Sequence, residues 1–154
     1  MKNFQQKSLE QDQKNRQLNA PSVTDYMVRK LITFKPETQI KEVVESLLKN
    51  RITGAPVLND NNEVVGLIDD KDCLNMLFGS AYYNHPVGKD VVSSYMSNTM
   101  KTISVNDNIV DATNIFLHSP YKRLLVLDDD GKLVGQISRR DILRAIKEMN
   151  TNTW

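Results

Sequence analysis

Near the C-terminal end of the chain, Ser138-Arg139-Arg140-Asp141 joins a short aliphatic run to an amphipathic one. These residue types at this spacing suit recognition of an anion and a diol. A serine at a helix start leaves backbone N–H groups and the positive end of the helix dipole pointing outward, a ready anion site. Arg139, Arg140 and Arg144 add positive charge on the same turns, and Asp141 offers two acceptor oxygens suited to a pair of neighbouring hydroxyls. The same residues also spell Ser-x-x-Asp, a capping box that needs no ligand. The residues alone leave both readings open.

Other chemistry finds little support. His85 and His118 are the only histidines and Cys73 is the only cysteine, none at metal-ligand spacing, so no metal or cofactor is expected. Cys73 stands where an aliphatic side chain would serve and reads as a buried apolar thiol. Phosphate-binding glycine loops and nucleophile-elbow strings do not occur, so the chain does not read as an enzyme. With 20 basic and 19 acidic residues the net charge is +1, which gives no field for nucleic acid or an anionic membrane. No apolar run approaches a membrane span. The polar N-terminus has no signal-like apolar stretch, and a lone cysteine suits a reducing compartment; the expectation is cytoplasmic.

The elements that position the Ser-Asp pair occur twice. A gapless shift of 69 residues lays Tyr26-Met27 on Tyr95-Met96, Ile40 on Ile109, Val57-Leu58 on Val126-Leu127, Gly66 on Gly135, and Asp72-x-Leu74 on Asp141-x-Leu143. Thirteen of the 49 positions from Tyr26 to Leu74 are identical under that shift, and an internal repeat decides the architecture before any single motif does.

Each copy reads strand, helix, strand, strand, helix. Leu31 to Phe34 is β-prone, and Thr38 is the expected cap of a helix whose Ile40, Val43, Val44, Leu47 and Leu48 line one face. Strands at Ala55–Leu58 and Glu63–Ile68 flank a turn at Asn59–Asn62, and a second helix starts between Asp69 and Asp72. The second copy predicts a strand at Met100–Ser104, a helix from Asp107 to His118 stopped by Pro120, strands at Leu124–Leu127 and Lys132–Ile137, and a last helix from Ser138 to Met149. About 50 residues per copy are too few to bury much surface alone, so the two pack as one pseudo-twofold α/β (α+β) module. The expected boundaries are a polar tail at 1–20, a first repeat at 21–79, a linker at 80–89, a second repeat at 90–149 and a tail at 150–154.

This duplicated pattern resembles the tandem cystathionine-β-synthase-type (CBS) repeats, the Bateman module. The specific marker is Val134-Gly135-Gln136-Ile137-Ser138-Arg139-Arg140-Asp141-Ile142-Leu143, and the likeness spans about residues 22–149. The resemblance implies a non-catalytic regulatory module that binds an adenosine-containing ligand (AMP or ATP foremost, ADP or S-adenosylmethionine otherwise) and acts on a partner protein. Carried over by position, Asp141 would accept from ribose hydroxyls and Ser138 would contact the α-phosphate. The Thr102-Ile103 backbone, with Leu124, Leu125 and Val126, would line an adenine slot, with Lys122 and Arg123 at its mouth and Arg140 beside the phosphate.

The corresponding first-copy set is Thr33, Ala55, Pro56, Asp69 and Asp72. There Asp69 replaces Ser138, so a phosphate would meet a like charge and the first cleft is expected to be the weaker. A homodimer is also implied, through the apolar surface of Leu74, Met76, Leu77, Phe78, Ile142, Leu143 and Ile146. The competing reading is a ligand-free interaction module that dimerises or docks on an enzyme or transporter.

Overall fold

The computed structural model describes residues 8–10, 20–82 and 90–149. Most of the expected N-terminal tail, residues 83–89 of the expected linker and the C-terminal tail lie outside the described residues.

In the first half, helix α1 (Ile40–Asn50) precedes a hairpin of β1 (Gly54–Leu58) and β2 (Val64–Asp69), and helix α2 (Asp70–Tyr82) follows directly. The second half has a short helix α3 (Val92–Tyr95), then β3 (Thr102–Ser104), α4 (Ile109–Leu117), β4 (Arg123–Leu127), β5 (Leu133–Ser138) and α5 (Arg139–Met149). Strand β4 is central, parallel to β3 and antiparallel to β5. In the first half the strand expected at Leu31–Phe34 is reduced to a single parallel bridge from Phe34 to Val57. The expected cap also moves. Thr38 accepts the Lys35 N–H through Oγ1 instead, and α1 starts after Gln39 with no side-chain cap. In the second half the cap is Asn108, which forms a reciprocal capping box with Asp111.

The hairpin turns obey the repeat even where the residue type changes. Asn62 has φ 61° and Gly131, its equivalent under the 69-residue shift, has φ 80°. Asparagine and glycine are the residues that tolerate that left-handed backbone.

What joins the halves is an exchange of lead-in segments. Val23 and Met27 open the first repeat, ahead of its first helix, yet they pack in the core of the second with Ile103, Phe116, Leu124 and Ile137. Val92, Tyr95 and Met96 open the second repeat, ahead of its first strand, and pack with Ile40, Val43, Val57 and Ile68 of the first. Backbone hydrogen bonds follow the same exchange. Val28 and Gln136 bond reciprocally at 2.8 and 3.0 Å, and their equivalents Ser97 and Leu67 do so at 2.8 and 2.9 Å. Ile40 N–H reaches the Asp90 carbonyl, and Ile109 N–H reaches that of Pro21.

The repeated Tyr-Met and Gly positions thereby gain a physical reason. A Cβ on Gly135 would lie 2.6 Å from Met27 Sδ, and one on Gly66 would lie 2.7 Å from Met96 Sδ and 2.9 Å from the Ser97 carbonyl. Each glycine lets the opposite half's lead-in cross the strand at close range.

Candidate functional site

Both Asp-containing junctions are strand-to-helix turns closed by the same reciprocal bonds. At the second, where β5 runs into α5, Ser138 N–H donates to Asp141 Oδ2 at 2.8 Å and Ser138 Oγ–H donates to it at 3.0 Å; Asp141 N–H returns to Ser138 Oγ at 3.4 Å. At the first, where β2 runs into α2, Asp69 N–H donates to Asp72 Oδ2 at 3.0 Å and Asp72 N–H to Asp69 Oδ1 at 2.9 Å. The capping-box reading is therefore realised at both. It leaves one carboxylate oxygen, Oδ1, uncommitted by the box in each case.

The two free oxygens have different surroundings. Asp141 is buried at 6% exposure, and Arg144 Nη1 lies 3.3 Å from its Oδ1. Asp72 is half-buried, and among the described residues no cation pairs with it. Burial, then the neighbouring charges of Asp69 and Asp70, push the Asp72 carboxyl up to about 6, against which the Asp69 N–H bond pulls down.

Asp69 and Asp72 line a cavity of about 220 Å³ together with Ser97 and Thr99 of the lead-in to the second repeat and Lys122 and Arg123 from the start of β4. The cavity thus draws on both halves. Lys122 is exposed, whereas Arg123 is held: its Nη2 donates to Thr53 Oγ1 at 2.8 Å and its Nη1 lies over Gly54. Burial lowers the Arg123 pKa, and the charges of Asp69 and Asp70 oppose that shift. Arg123 therefore supplies the positive charge that offsets Asp69, which reduces the repulsion expected for an anion at this junction.

The residues expected to form one slot are distributed over two places. Ser138 and Asp141 sit together at the second junction, with Arg140 exposed on the first turn of α5. Lys122 and Arg123, expected with them, line the cavity of Asp69 and Asp72 instead. Arg123 is the ladder partner of Ser138, but its side chain reaches into the first half. Leu124, Leu125 and Val126 are fully buried in the central strand, and Ile103 is buried beside them, so none presents a side chain to a cleft; Thr102 is exposed at the strand start. In the first half Ala55 and Pro56 are buried in β1, and Thr33 is exposed.

Sequence reasoning missed Ser97, Thr99 and Thr53. One signal was available. Gly54 and Arg123 are equivalent positions under the repeat, and residues near a pseudo-twofold axis meet their own equivalents, so only one of such a pair can be large.

Outside the seam lie two apolar grooves that are also repeat equivalents. One, of about 430 Å³, runs between α1 and α2 past Val44, Leu48 and Leu74; the other, of about 610 Å³, runs between α4 and α5 past Phe116, Leu117 and Leu143. Leu48, Leu74, Phe78, Leu117 and Leu143 are exposed, whereas Ile142 is buried in the second core and Met76 and Ile146 are half-buried. The side chain of Leu77 lies outside the described residues. Cys73 borders the first groove, and burial pushes its thiol up to about 11, so it stays protonated and unreactive near neutral pH. Among the described residues no group of His, Cys, Asp and Glu is arranged to hold a metal, and no helix is long and apolar enough to cross a membrane.

Two hairpins, each backed by two helices and sharing exchanged lead-ins across a polar seam, define a tandem-repeat module. The CBS domain model matches residues 23–79 and again 92–148, and the chain belongs to the CBS domain family. It is 32% identical over 149 residues to the CBS domain-containing protein CBSX1, chloroplastic, of Arabidopsis thaliana, covering 80% of this chain and 63% of that protein. It is 29% identical over 157 residues to CBSX2, chloroplastic, of the same plant, covering 86% of this chain and 66% of the relative. The chain thus spans just under two thirds of the length of these relatives. Among solved structures, a crystal structure of CBSX2 in complex with AMP superposes with a TM-score of 0.71 at 29% identity, over 84% of this chain and 98% of that one.

Proposed function

We propose that the chain is a non-catalytic regulatory module that binds an adenosine nucleotide at the seam between its halves and changes its association with a partner protein. The observation that carries this reading is the cavity that Asp72, from one half, lines together with Lys122 and Arg123, from the other. A carboxylate for ribose hydroxyls and cations for phosphate are then supplied by different halves, so an occupant bridges them. At about 220 Å³ the space suits the sugar–phosphate end of a nucleotide rather than the whole molecule, since drug-sized ligands fill pockets of roughly 300–1,000 Å³. The AMP complex of a 29% identical relative supports the choice of ligand class.

Calorimetry and a thermal-shift panel of AMP, ADP, ATP, S-adenosylmethionine and adenosine test the proposal. A ligand at a hundredfold excess over its Kd stabilises the native state by about 2.7 kcal/mol, a readily measured rise in Tm. No shift with any adenosine compound at millimolar concentration rejects it. Because an ionised Asp72 is the acceptor, adenosine, which has no phosphate to titrate, binds more tightly as pH rises through about 6.

The second reading, a module that dimerises, rests on a separate observation: the exposed leucines Leu48, Leu74, Leu117 and Leu143 that border the two equivalent grooves. Burial against the same faces of a second chain would cover both grooves at once. Sedimentation at micromolar concentration is expected to give twice the 17.6 kDa chain mass, and a monomer there rejects this reading.

A further inference from the structure

The two junctions differ at one helical position that decides whether the Asp oxygen left over by the capping box is available. Three residues after Asp141 stands Arg144; three residues after Asp72 stands Asn75. Side chains at that spacing lie on one helical face and meet. Arg144 is fixed by more than its aspartate. Its Nη2 donates to the Tyr26 carbonyl at 2.9 Å, and its guanidinium lies 5.7 Å from the centre of the Tyr26 ring. Tyr26 is anchored in turn, its hydroxyl donating to Glu148 Oε2 at 2.6 Å. The guanidinium is thereby held against Asp141 Oδ1 by the lead-in of the opposite half. Asn75 is exposed and carries no charge, so it forms no ion pair with Asp72.

We infer that Arg144 closes the second junction to a ribose diol, so that the chain takes one nucleotide, at Asp72, and not two. This rests on the nucleotide reading above and goes beyond it by assigning which junction is used and which residue excludes the other. A pair of ribose hydroxyls needs a carboxylate that they can reach. Asp141 has given Oδ2 to Ser138 and Oδ1 to Arg144, and at 6% exposure it has no further face to offer. Asp72 has given only Oδ2, and its other oxygen belongs to a carboxylate that lines a cavity. Displacing Arg144 would also separate it from the Tyr26 carbonyl and ring, so the closure is not a loose surface pairing.

Isothermal titration of the intact chain with AMP tests this. The wild type is expected to bind one AMP per chain, and 2′,3′-dideoxy-AMP to bind roughly ten- to hundredfold more weakly, the loss for hydrogen bonds to a charged acceptor. Arg144→Asn, which copies the first half's residue, is expected to raise the stoichiometry to two. In that background Asp141→Asn removes the gained site, and Asp72→Asn removes the original one. Two equivalent sites in the wild type, or an Arg144→Asn chain that still binds one, overturns the inference while leaving the nucleotide reading intact. Absence of AMP binding in wild type and variant alike overturns the nucleotide reading, and the inference falls with it. If Asp72→Asn loses its helical circular dichroism, the dideoxy comparison on wild type, together with the Arg144→Asn stoichiometry, decides instead.

Discussion

The junctions at Asp69–Asp72 and Ser138–Asp141 follow one plan and end in different electrostatic states. Each caps a helix with reciprocal hydrogen bonds three residues apart. The second adds a serine hydroxyl and an arginine, so every oxygen of Asp141 is used and the side chain is buried. The first adds a second carboxylate; burial, then the charge of Asp69, raises the Asp72 pKa to about 6, and Asp72 lines a cavity. One junction is spent on stability, whereas the other keeps an unsatisfied acceptor where a ligand can reach it. The two can differ in this way because a cap needs only one carboxylate oxygen, which leaves the other to its surroundings.

The comparison breaks most strongly at the two aspartates. Asp141→Ala removes the two hydrogen bonds from Ser138, at roughly 1.5 kcal/mol each, and the contact with Arg144, so its expected cost is at least about 3 kcal/mol. Asp72→Ala loses one such bond but relieves the repulsion from Asp69, and is expected to cost less than about 1 kcal/mol, near the lower range for a lost cap. Urea unfolding of the two variants separates them; equal losses would deny the asymmetry.

The lead-in exchange comes next. Gly66→Ala and Gly135→Ala each push a methyl against a methionine sulfur and a carbonyl of the opposite half, and overpacking of this kind costs about 2 kcal/mol. Similar falls in Tm for both variants are expected, because the two crossings are equivalent. A loss at only one would show that the halves are held unequally.

A smaller effect lies in pH. Asp72 moves from an ordinary value of 3.8 to about 6 in the folded chain. Between those values the folded state holds more protons than the unfolded state, so this group's contribution to stability is full below the lower value and is lost as pH rises through the upper one. Asp72→Asn is expected to flatten that part of the stability profile, measured by urea unfolding from about pH 4 to 7, and an unchanged slope counts against the Asp69–Asp72 crowding. Arg144→Asn removes a half-exposed ion pair, a hydrogen bond to the Tyr26 carbonyl and a contact with its ring, and is expected to cost about 1 kcal/mol while leaving the fold intact.

Much of the architecture was legible in the residues because it depends on local periodicity. The apolar spacing of Ile40, Val43 and Leu47 gives α1 its buried face, and the turns at Asn62 and Gly131 follow from residues that accept a positive φ. The two caps span four residues each, so Ser138–Asp141 and Asp69–Asp72 could be found by spacing alone. The weak first strand was not legible: Leu31 to Phe34 has strand propensity, but pairing reaches it at only one bridge. Arg144 was visible as a neighbour of Asp141 on the same helical face, yet charge counting cast it as an attraction for anions rather than as a cover for the carboxylate.

The sequence by itself determined the repeat, its register, and the chemistry available at each junction, since those are carried by residues within a few positions of one another. Tertiary structure alone decided which aspartate an arginine covers. Arg123 crosses 70 positions to reach Thr53, and Arg144 is held by a carbonyl 118 positions away. Contacts at such separation depend on how two halves turn against each other, and a pseudo-twofold axis brings equivalent positions together without marking in the chain which member of each pair will fill the shared space.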